Sequence, residues 1–179
     1  MIPFSDPSAS YQSHKYEIDQ AIKRVLDSGW YVLGKEVEKF EEEFASFHGT
    51  GLNSVGVANG TDAIALALRC LGLGNGEEVI TVSHTAVATI AGIEQVGCKP
   101  VFADIDPVSR CICPESIRSR ISNKTRAIIP VHIFGQPCDM FEIMEIARTK
   151  NLLVLEDCAQ AHAAETGGKK VGTFGDMGT

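Results

Sequence analysis

Apolar positions follow two different patterns along the chain. In the first fifty residues they recur at helical spacing, which predicts one amphipathic helix over residues 16–26 and a second over residues 36–47. Gly29 and Gly34 bracket the link between these helices. After Gly49 short apolar runs begin to alternate with helical stretches, so the pattern predicts a second region that contains strands.

The second region reads as alternating strands and helices. The predicted strands cover residues 55–58, 78–82, 100–103, 127–133 and 152–155, and the predicted helices cover residues 62–71, 86–96, 114–121 and 140–149. The strand runs are continuous rather than alternating, as in residues 152–155, which is what burial on both faces requires. This order predicts an α/β fold, a three-layer αβα sandwich with a mostly parallel central sheet. Residues 167–179 are glycine-rich, and we expect no closing helix or strand there.

Composition narrows the classes of function. Of the 179 residues 44% are hydrophobic and 22% charged, which is ordinary for a globular protein. A net charge of −7 without a Lys/Arg cluster argues against a nucleic-acid partner. The sequence lacks a membrane-spanning apolar stretch and a signal peptide, so we expect a cytoplasmic protein. The six cysteines lack a zinc-binding spacing, and we expect reduced thiols and no metal site.

The turn from Asn59 to Asp62 joins a predicted strand to a predicted helix. Ligands of open α/β sheets bind beyond the carboxyl ends of the strands. Gly60 lets a ligand approach the backbone, Thr61 adds a hydroxyl, and the start of the helix favours a phosphate through its N–H groups and dipole. The alternative is an ordinary helix cap, in which Thr61 or Asp62 satisfies the first amides.

Two carboxylates, Glu156 and Asp157, end the last predicted strand. Burying them is costly unless they have partners. One suitable partner is the protonated nitrogen of a pyridine ring, since an aspartate against it keeps the ring cationic and able to accept electrons. Gln160 would then lie near the phenolic oxygen of that ring. The alternative is a helix start that favours acidic residues.

His84 follows the strand that ends at Val82. Its imidazole could stack on a cofactor ring or assist proton transfer, although a lone histidine is more often structural. His132, which follows the predicted strand's apolar run, has the same two interpretations.

Six blocks of the chain occur in the order typical of one enzyme family. They are Ser28-Gly-Trp-Tyr-Val-Leu-Gly34, Val37-Glu-Lys-Phe-Glu41, Val57-Ala-Asn-Gly-Thr-Asp-Ala63, Gly97-Cys-Lys-Pro-Val-Phe-Ala-Asp-Ile-Asp106, Pro130-Val-His-Ile-Phe-Gly-Gln136 and Glu156-Asp-Cys-Ala-Gln-Ala-His162. In them the chain resembles the DegT/DnrJ/EryC1/StrS family of sugar aminotransferases, which depend on pyridoxal phosphate (PLP) and have the aspartate aminotransferase fold, type I.

The resemblance implies a role for each candidate residue. Gly60 and Thr61 would hold the PLP phosphate. Asp157 would pair with the pyridine nitrogen, and Gln160 would contact the phenolic oxygen. The family places an aromatic residue on the ring where this chain has Ala86, so His84 is a candidate for that stacking and for catalysis.

The resemblance also implies an activity and a domain plan. Such enzymes transfer an amino group, usually from glutamate, to the keto group of a nucleotide-linked sugar, in the synthesis of cell-surface polysaccharides or secondary metabolites, and they are typically homodimers. Residues 1–50 would form an N-terminal helical segment and residues 51–179 an incomplete PLP-binding large domain. The C-terminal small domain and the Schiff-base lysine, expected in a Ser-Phe-x-x-x-Lys stretch past Thr179, would be absent. We therefore expect residues 1–179 alone not to transaminate.

Two other classes compete with this interpretation. One is a lysine-free module that uses the same pocket to bind a nucleotide sugar or to regulate a partner. The other is a nicotinamide enzyme. That class is disfavoured because the glycines at residues 172–178 have the wrong spacing and do not lie in the strand-turn-helix context of an N-terminal βα unit.

Overall fold

The computed structural model describes residues 5–179, and the chain divides into two units between Gly56 and Val57. The described residues of the first unit form three helices: α1 (Pro7–Ser13), α2 (Lys15–Ser28) and α3 (Lys35–His48). The helices predicted over residues 16–26 and 36–47 are therefore present. Helix α2 ends at Gly29, whose φ of 67° suits a residue without a side chain.

The second unit alternates helices and strands. Its helices are α4 (Gly60–Cys70), α5 (Val87–Gln95), α6 (Pro114–Arg120) and α7 (Met140–Lys150), with a short 3-10 turn at Ile133–Gly135. Its strands are β1 (Glu78–Val82), β2 (Lys99–Ala103), β3 (Thr125–Ile128), β4 (Leu153–Glu156), β5 (Glu165–Thr166), β6 (Lys169–Lys170) and β7 (Met177–Gly178).

Five strands form one parallel sheet in the order β2-β1-β3-β4-β7, while β5 and β6 pair as a separate antiparallel hairpin. Successive side chains of β4 enter two different cores. Leu155 packs in a cluster with Ile64 of α4, and Val154 packs in a cluster with Ile143 of α7. Helices thus cover both faces of the sheet, which confirms the predicted α/β sandwich.

Three predicted segments differ from the structure. Residues 55–58 form no strand, because no described strand pairs with them and Val55 is 78% exposed. Strand β3 ends at Ile128 instead of continuing to residue 133, because Pro130 has no N–H for a ladder. The last residues do contain a strand, since β7 pairs with β4.

Within the described residues, no helix combines the length and the apolar character needed to cross a membrane.

Candidate active site

A pocket lies at the carboxyl end of the sheet in the second unit. Its walls are formed by Gly60, Ile64, Thr85, Ala86, Ala88, Thr89, Val131, Ile133, Asp157, Ala159, Gln160 and Thr179. The segments that follow β1 and β3 both contribute to it, and the strand order reverses between these two strands. Parallel sheets bind ligands at such a reversal, because the loops there leave in opposite directions and open a crevice.

The start of α4 reaches this pocket at Gly60 and leaves amide groups free. Asn59 caps the helix, since its Oδ1 accepts the N–H of Asp62 at 2.9 Å, and its Nδ2 donates to the Asp62 carboxylate at 2.9 Å. Among the described residues nothing accepts a hydrogen bond from the N–H of Gly60 or Thr61. The capping residue is thus Asn59 rather than Thr61 or Asp62, and two donors are left for an anion.

Close packing on α5 fixes the position of this helix start. A Cβ atom added to Gly92 of α5 would lie 2.8 Å from Ile64 Cγ2 and 3.0 Å from the carbonyl oxygen of Thr61. Only glycine lets the two helices approach so closely here. By contrast, a Cβ added to Gly60 would meet nothing within 4 Å, so the space in front of α4 is open.

Asp157 faces the same pocket and is held on several sides. Its backbone continues the pairing with the neighbouring strand, donating to the carbonyl oxygen of Pro130 at 2.9 Å and accepting from the N–H of His132 at 3.0 Å. Its carboxylate accepts the hydroxyl of Thr89 at 2.8 Å and the N–H of Ala159 at 3.3 Å. The side chain is 6% exposed, yet it is part of the pocket wall.

Glu156 has a different environment from its neighbour. It is fully buried, and Oε1 accepts the backbone N–H groups of Phe174 at 2.7 Å and Gly175 at 2.8 Å. Oε2 accepts the N–H of Gly172 at 2.8 Å and Nε2 of His132 at 3.2 Å. These four donors match the acceptor capacity of a carboxylate. Glu156 therefore anchors the loop over residues 172–175.

The same contacts account for His132. Its Nδ1 accepts the N–H of Cys138 at 3.1 Å, so Nε2 carries the hydrogen that is donated to Glu156. Burial acts to raise the pKa of Glu156, but His132 and two backbone amides outweigh it and hold that pKa below its ordinary value of 4.5. Both groups lack exposure, and we assign His132 a structural role.

Cys158 also lies near this pair, so that potential metal ligands from three residues lie within 4.8 Å of one another. Both Glu156 oxygens are already occupied by N–H donors, however. A cation would have to displace backbone amides that cannot ligate it, and we assign this cluster to the fold.

Gln160 is exposed at the pocket and contacts an unusual turn. Its Oε1 accepts the N–H of Phe134 at 3.0 Å, which leaves its Nε2 group as a donor. Phe134 has a φ of 55° in the left-handed region and a side chain that is 77% exposed. Such strained residues persist only where surrounding contacts hold them.

His84 lies beside the pocket wall rather than in it. Its Nδ1 is 3.2 Å from the carbonyl oxygen of Arg110 and carries the hydrogen of that contact, since a carbonyl only accepts. Its ring meets the Phe134 ring edge-on, with centroids 5.8 Å apart. The structure therefore brings Gly60, Asp157 and Gln160 into one pocket and leaves His84 at its side, with Thr61 one residue behind Gly60.

The donor set of the pocket suits a PLP-like molecule. Amide donors at the start of α4 match a phosphate, the Asp157 carboxylate matches a protonated ring nitrogen, and Gln160 Nε2 matches a phenolic oxygen. Sequence reasoning missed Thr85 and Thr89. A signal was available for Thr89, because it is a polar residue in a largely apolar predicted helix over residues 86–96, whereas Thr85 precedes that helix.

Comparison with known proteins places this geometry in context. The sequence profile of the DegT/DnrJ/EryC1/StrS aminotransferase family matches residues 12–179. The chain is 47% identical over 176 residues to the dTDP-3-amino-3,6-dideoxy-alpha-D-galactopyranose transaminase of Aneurinibacillus thermoaerophilus, covering 98% of this chain and 48% of that protein.

Solved structures agree with this match. The S. venezuelae protein DesV, in complex with a ketimine intermediate, superimposes with a TM-score of 0.93 at 43% identity, covering 96% of this chain and 46% of DesV. NtdA from Bacillus subtilis, with bound cofactor PMP (the amine form of PLP), gives a TM-score of 0.85 at 32% identity. The match covers 93% of this chain and 37% of NtdA. The chain spans about half the length of the curated relatives it matches.

Proposed function

Because this chain belongs to the DegT/DnrJ/EryC1/StrS aminotransferase family, we propose that it forms the cofactor-binding part of a PLP-dependent enzyme. The proposed enzyme transfers an amino group from glutamate to the keto group of a nucleotide-linked sugar. Residues 51–179 would belong to its large domain. The single observation that carries the proposal is that Gly60, the first residue of α4, and Asp157 line one pocket.

Each wall of the pocket has a distinct task in this proposal. PLP, when bound, supplies a conjugated cationic ring that stabilises negative charge on an adjacent carbon. The N–H groups of Gly60 and Thr61, together with the dipole of α4, would hold the phosphate. Asp157 would hold the proton on the ring nitrogen. Gln160 would donate from Nε2 to the phenolic oxygen, with its carboxamide oriented by the N–H of Phe134.

His84 is proposed to act at the open face of the ring. It carries a hydrogen on Nδ1, donated to Arg110, so Nε2 is the ring atom left to accept a proton. The neighbouring residue Ala86 offers no aromatic surface, and the adjacent aromatic side chain is Phe134. A shift of His84 into the pocket is required for the proposed stacking.

The substrate, the oligomeric state and the location are parts of the same proposal. The 47% identity to a dTDP-sugar transaminase supports a nucleotide-linked sugar as the acceptor. Homodimer formation is supported by Trp30, Tyr31, Val32 and Leu33, four consecutive apolar residues that are each at least 51% exposed. The six free cysteines are consistent with the cytoplasm.

The test uses the full-length gene product, since the chain spans about half the length of its relatives. Addition of PLP is expected to give a visible absorption band that borohydride removes, and glutamate should support amination of a nucleotide-linked keto-sugar. The Asp157→Ala variant should lose turnover. Turnover unaffected by Asp157→Ala would refute the proposal, and sugar binding without the PLP band would favour the lysine-free binding module.

A further inference from the structure

A chain of hydroxyl groups leads from the pocket to the carboxylate of Asp157. Thr89 Oγ1 lies 2.8 Å from Asp157 Oδ2 and also 2.8 Å from Thr85 Oγ1. Thr85 and Thr89 stand four residues apart across the start of α5, and both form part of the pocket wall. The contact to Asp157 joins residues 68 positions apart in the sequence, so it is set by the fold and not by the local chain.

Counting hydrogen atoms fixes the direction of each hydrogen bond between Thr85, Thr89 and Asp157. A carboxylate accepts only, so Thr89 must donate its single hydroxyl hydrogen to Asp157. Thr89 then has no hydrogen left, and the contact with Thr85 requires Thr85 to donate. The remaining lone pairs of Thr85 can only accept. Thr85 is therefore unsuited to bind a phosphate, and its hydrogen is committed to the route that ends at Asp157.

An ordinary structural role does not account for the Thr89 hydroxyl. The N-cap residue of helix α5 is Ala86, whose carbonyl oxygen accepts the backbone N–H of Thr89. The hydroxyl of Thr89 therefore takes no part in capping the helix. The hydroxyl of a threonine inside a helix commonly donates to a carbonyl oxygen in the preceding turn. The hydroxyl of Thr89 donates instead to the carboxylate of Asp157, the residue that follows β4. The side chain is fully buried, which limits it to one orientation.

We infer that Thr89, supported by Thr85, is a positioning residue that holds Asp157 in the orientation needed to meet the cofactor's ring nitrogen. This inference rests on the proposed function. With Oδ2 fixed by Thr89 and Oδ1 bound, among the described residues, only by the longer 3.3 Å contact to Ala159, Oδ1 is the oxygen available to a ligand. Removing the Thr89 hydroxyl leaves the carboxylate free to rotate about its χ2 angle.

The experiment measures cofactor discrimination rather than activity. Equilibrium dialysis of the full-length gene product would compare PMP, the amine form of PLP, with an analogue in which C–H replaces the ring nitrogen. The analogue keeps the phosphate and the ring shape but offers Asp157 no N–H. A charge-assisted hydrogen bond predicts that the unmodified protein prefers PMP by about 10- to 100-fold.

Thr89→Val keeps the shape of the side chain and removes the hydroxyl, and Thr89→Ser restores a hydroxyl as the matched control. We expect Thr89→Val to lower the preference for PMP about tenfold and Thr89→Ser to keep it within about twofold. Thr85→Val should lower it by a smaller factor, and it provides the test if Thr89→Val does not fold. General damage to the pocket would weaken both ligands equally and leave the preference unchanged.

The outcomes separate this inference from the proposed function. An unmodified protein that binds neither ligand, or binds both equally, contradicts the proposed role of Asp157 itself. An unmodified protein that prefers PMP, with the same preference in Thr89→Val and Thr85→Val, overturns the positioning role alone.

Discussion

Glu156 and Asp157 are consecutive acidic residues at the end of β4, but their side chains enter opposite sides of the sheet. Glu156 lies on the side of α7, where its oxygens receive four hydrogen bonds and a loop closes over it. Asp157 lies on the side of α5, where its side chain has two partners within residues 5–179 and faces a pocket. The same carboxylate group thus has a structural role on one face and, in the proposed function, a ligand-binding role on the other.

The difference shows how a fold can keep a buried carboxylate available. A carboxylate with four donors has no capacity left, and its burial is compensated within the protein. One with two donors is held in place but can still bind a cation or an N–H group. The two residues therefore differ in how many hydrogen bonds their carboxylates accept and not in burial, since Glu156 is 0% and Asp157 6% exposed.

The largest predicted effect is on stability at Glu156. Glu156→Gln leaves one carbonyl oxygen for four donors and turns an NH₂ group towards N–H groups, so it should cost about 3–5 kcal/mol of unfolding free energy. Asp157→Asn should cost about 1 kcal/mol or less, since its amide oxygen can still accept from Thr89. Chemical denaturation measures both, with Glu165→Gln on the exposed hairpin as the neutral control. Equal costs for Glu156→Gln and Asp157→Asn would remove the distinction.

The same contrast predicts a pH dependence. The folded protein holds the pKa of Glu156 below 4.5, so the stabilisation by its ionised form is present above that pH. It is lost as the pH falls from about 4.5 through the lower folded value. Denaturation midpoints between neutral and acid pH should therefore fall more steeply for the unmodified chain than for Glu156→Gln. Parallel curves would contradict the assignment.

Gly92→Ala tests the wall of the pocket that the start of α4 forms. Its methyl group would clash with Ile64 and with the Thr61 carbonyl, so overpacking should cost about 1–3 kcal/mol. The displaced first turn of α4 should also weaken the binding of PMP to the full-length protein. Gly74→Ala is the matched control, because a Cβ there meets nothing within 4 Å. Unchanged PMP affinity in Gly92→Ala would show that α4 does not set the phosphate site.

The smallest effect on stability is expected when the N-cap residues of α4 and α7 are each replaced by alanine. Asn59 caps α4 beside the pocket and Asp139 caps α7 away from it. Asn59→Ala and Asp139→Ala should each cost about 1 kcal/mol in stability. Only Asn59→Ala should also weaken PMP binding, because it loosens the amides of Gly60 and Thr61. Equal effects of the two variants on binding would argue against a phosphate at α4.

Much of this arrangement was accessible from the sequence, for identifiable physical reasons. Strand β1 forms over the predicted residues 78–82, because the apolar residues Val79, Ile80 and Val82 suit a strand covered on both faces. The acid at Asp157 follows β4, and ligands of such sheets bind where strands end. The turn at Gly60 was predicted by the same rule although no strand precedes it, and the start of α4 is what places it at the pocket. Their roles towards the cofactor are still predictions.

Other features depend on contacts that sequence patterns do not encode. The amides around Glu156 come from the irregular loop over residues 172–175, which has no periodicity. Thr89 donates a hydrogen bond to Asp157, which lies 68 residues further along the sequence, so this pairing is visible only in the folded chain. Residues 55–58 carry an apolar run of the kind that favours a strand, but an isolated run cannot form a ladder without a neighbour.

The central claim is that one ring is held at two ends, by the first amides of α4 and by Asp157. A crystal structure of the full-length protein with PLP tests it directly. We predict phosphate oxygens within about 2.7–3.2 Å of the N–H groups of Gly60 and Thr61, and the ring nitrogen at a similar distance from the Asp157 carboxylate. A cofactor whose phosphate lies away from α4, or whose ring nitrogen points away from Asp157, would contradict the claim.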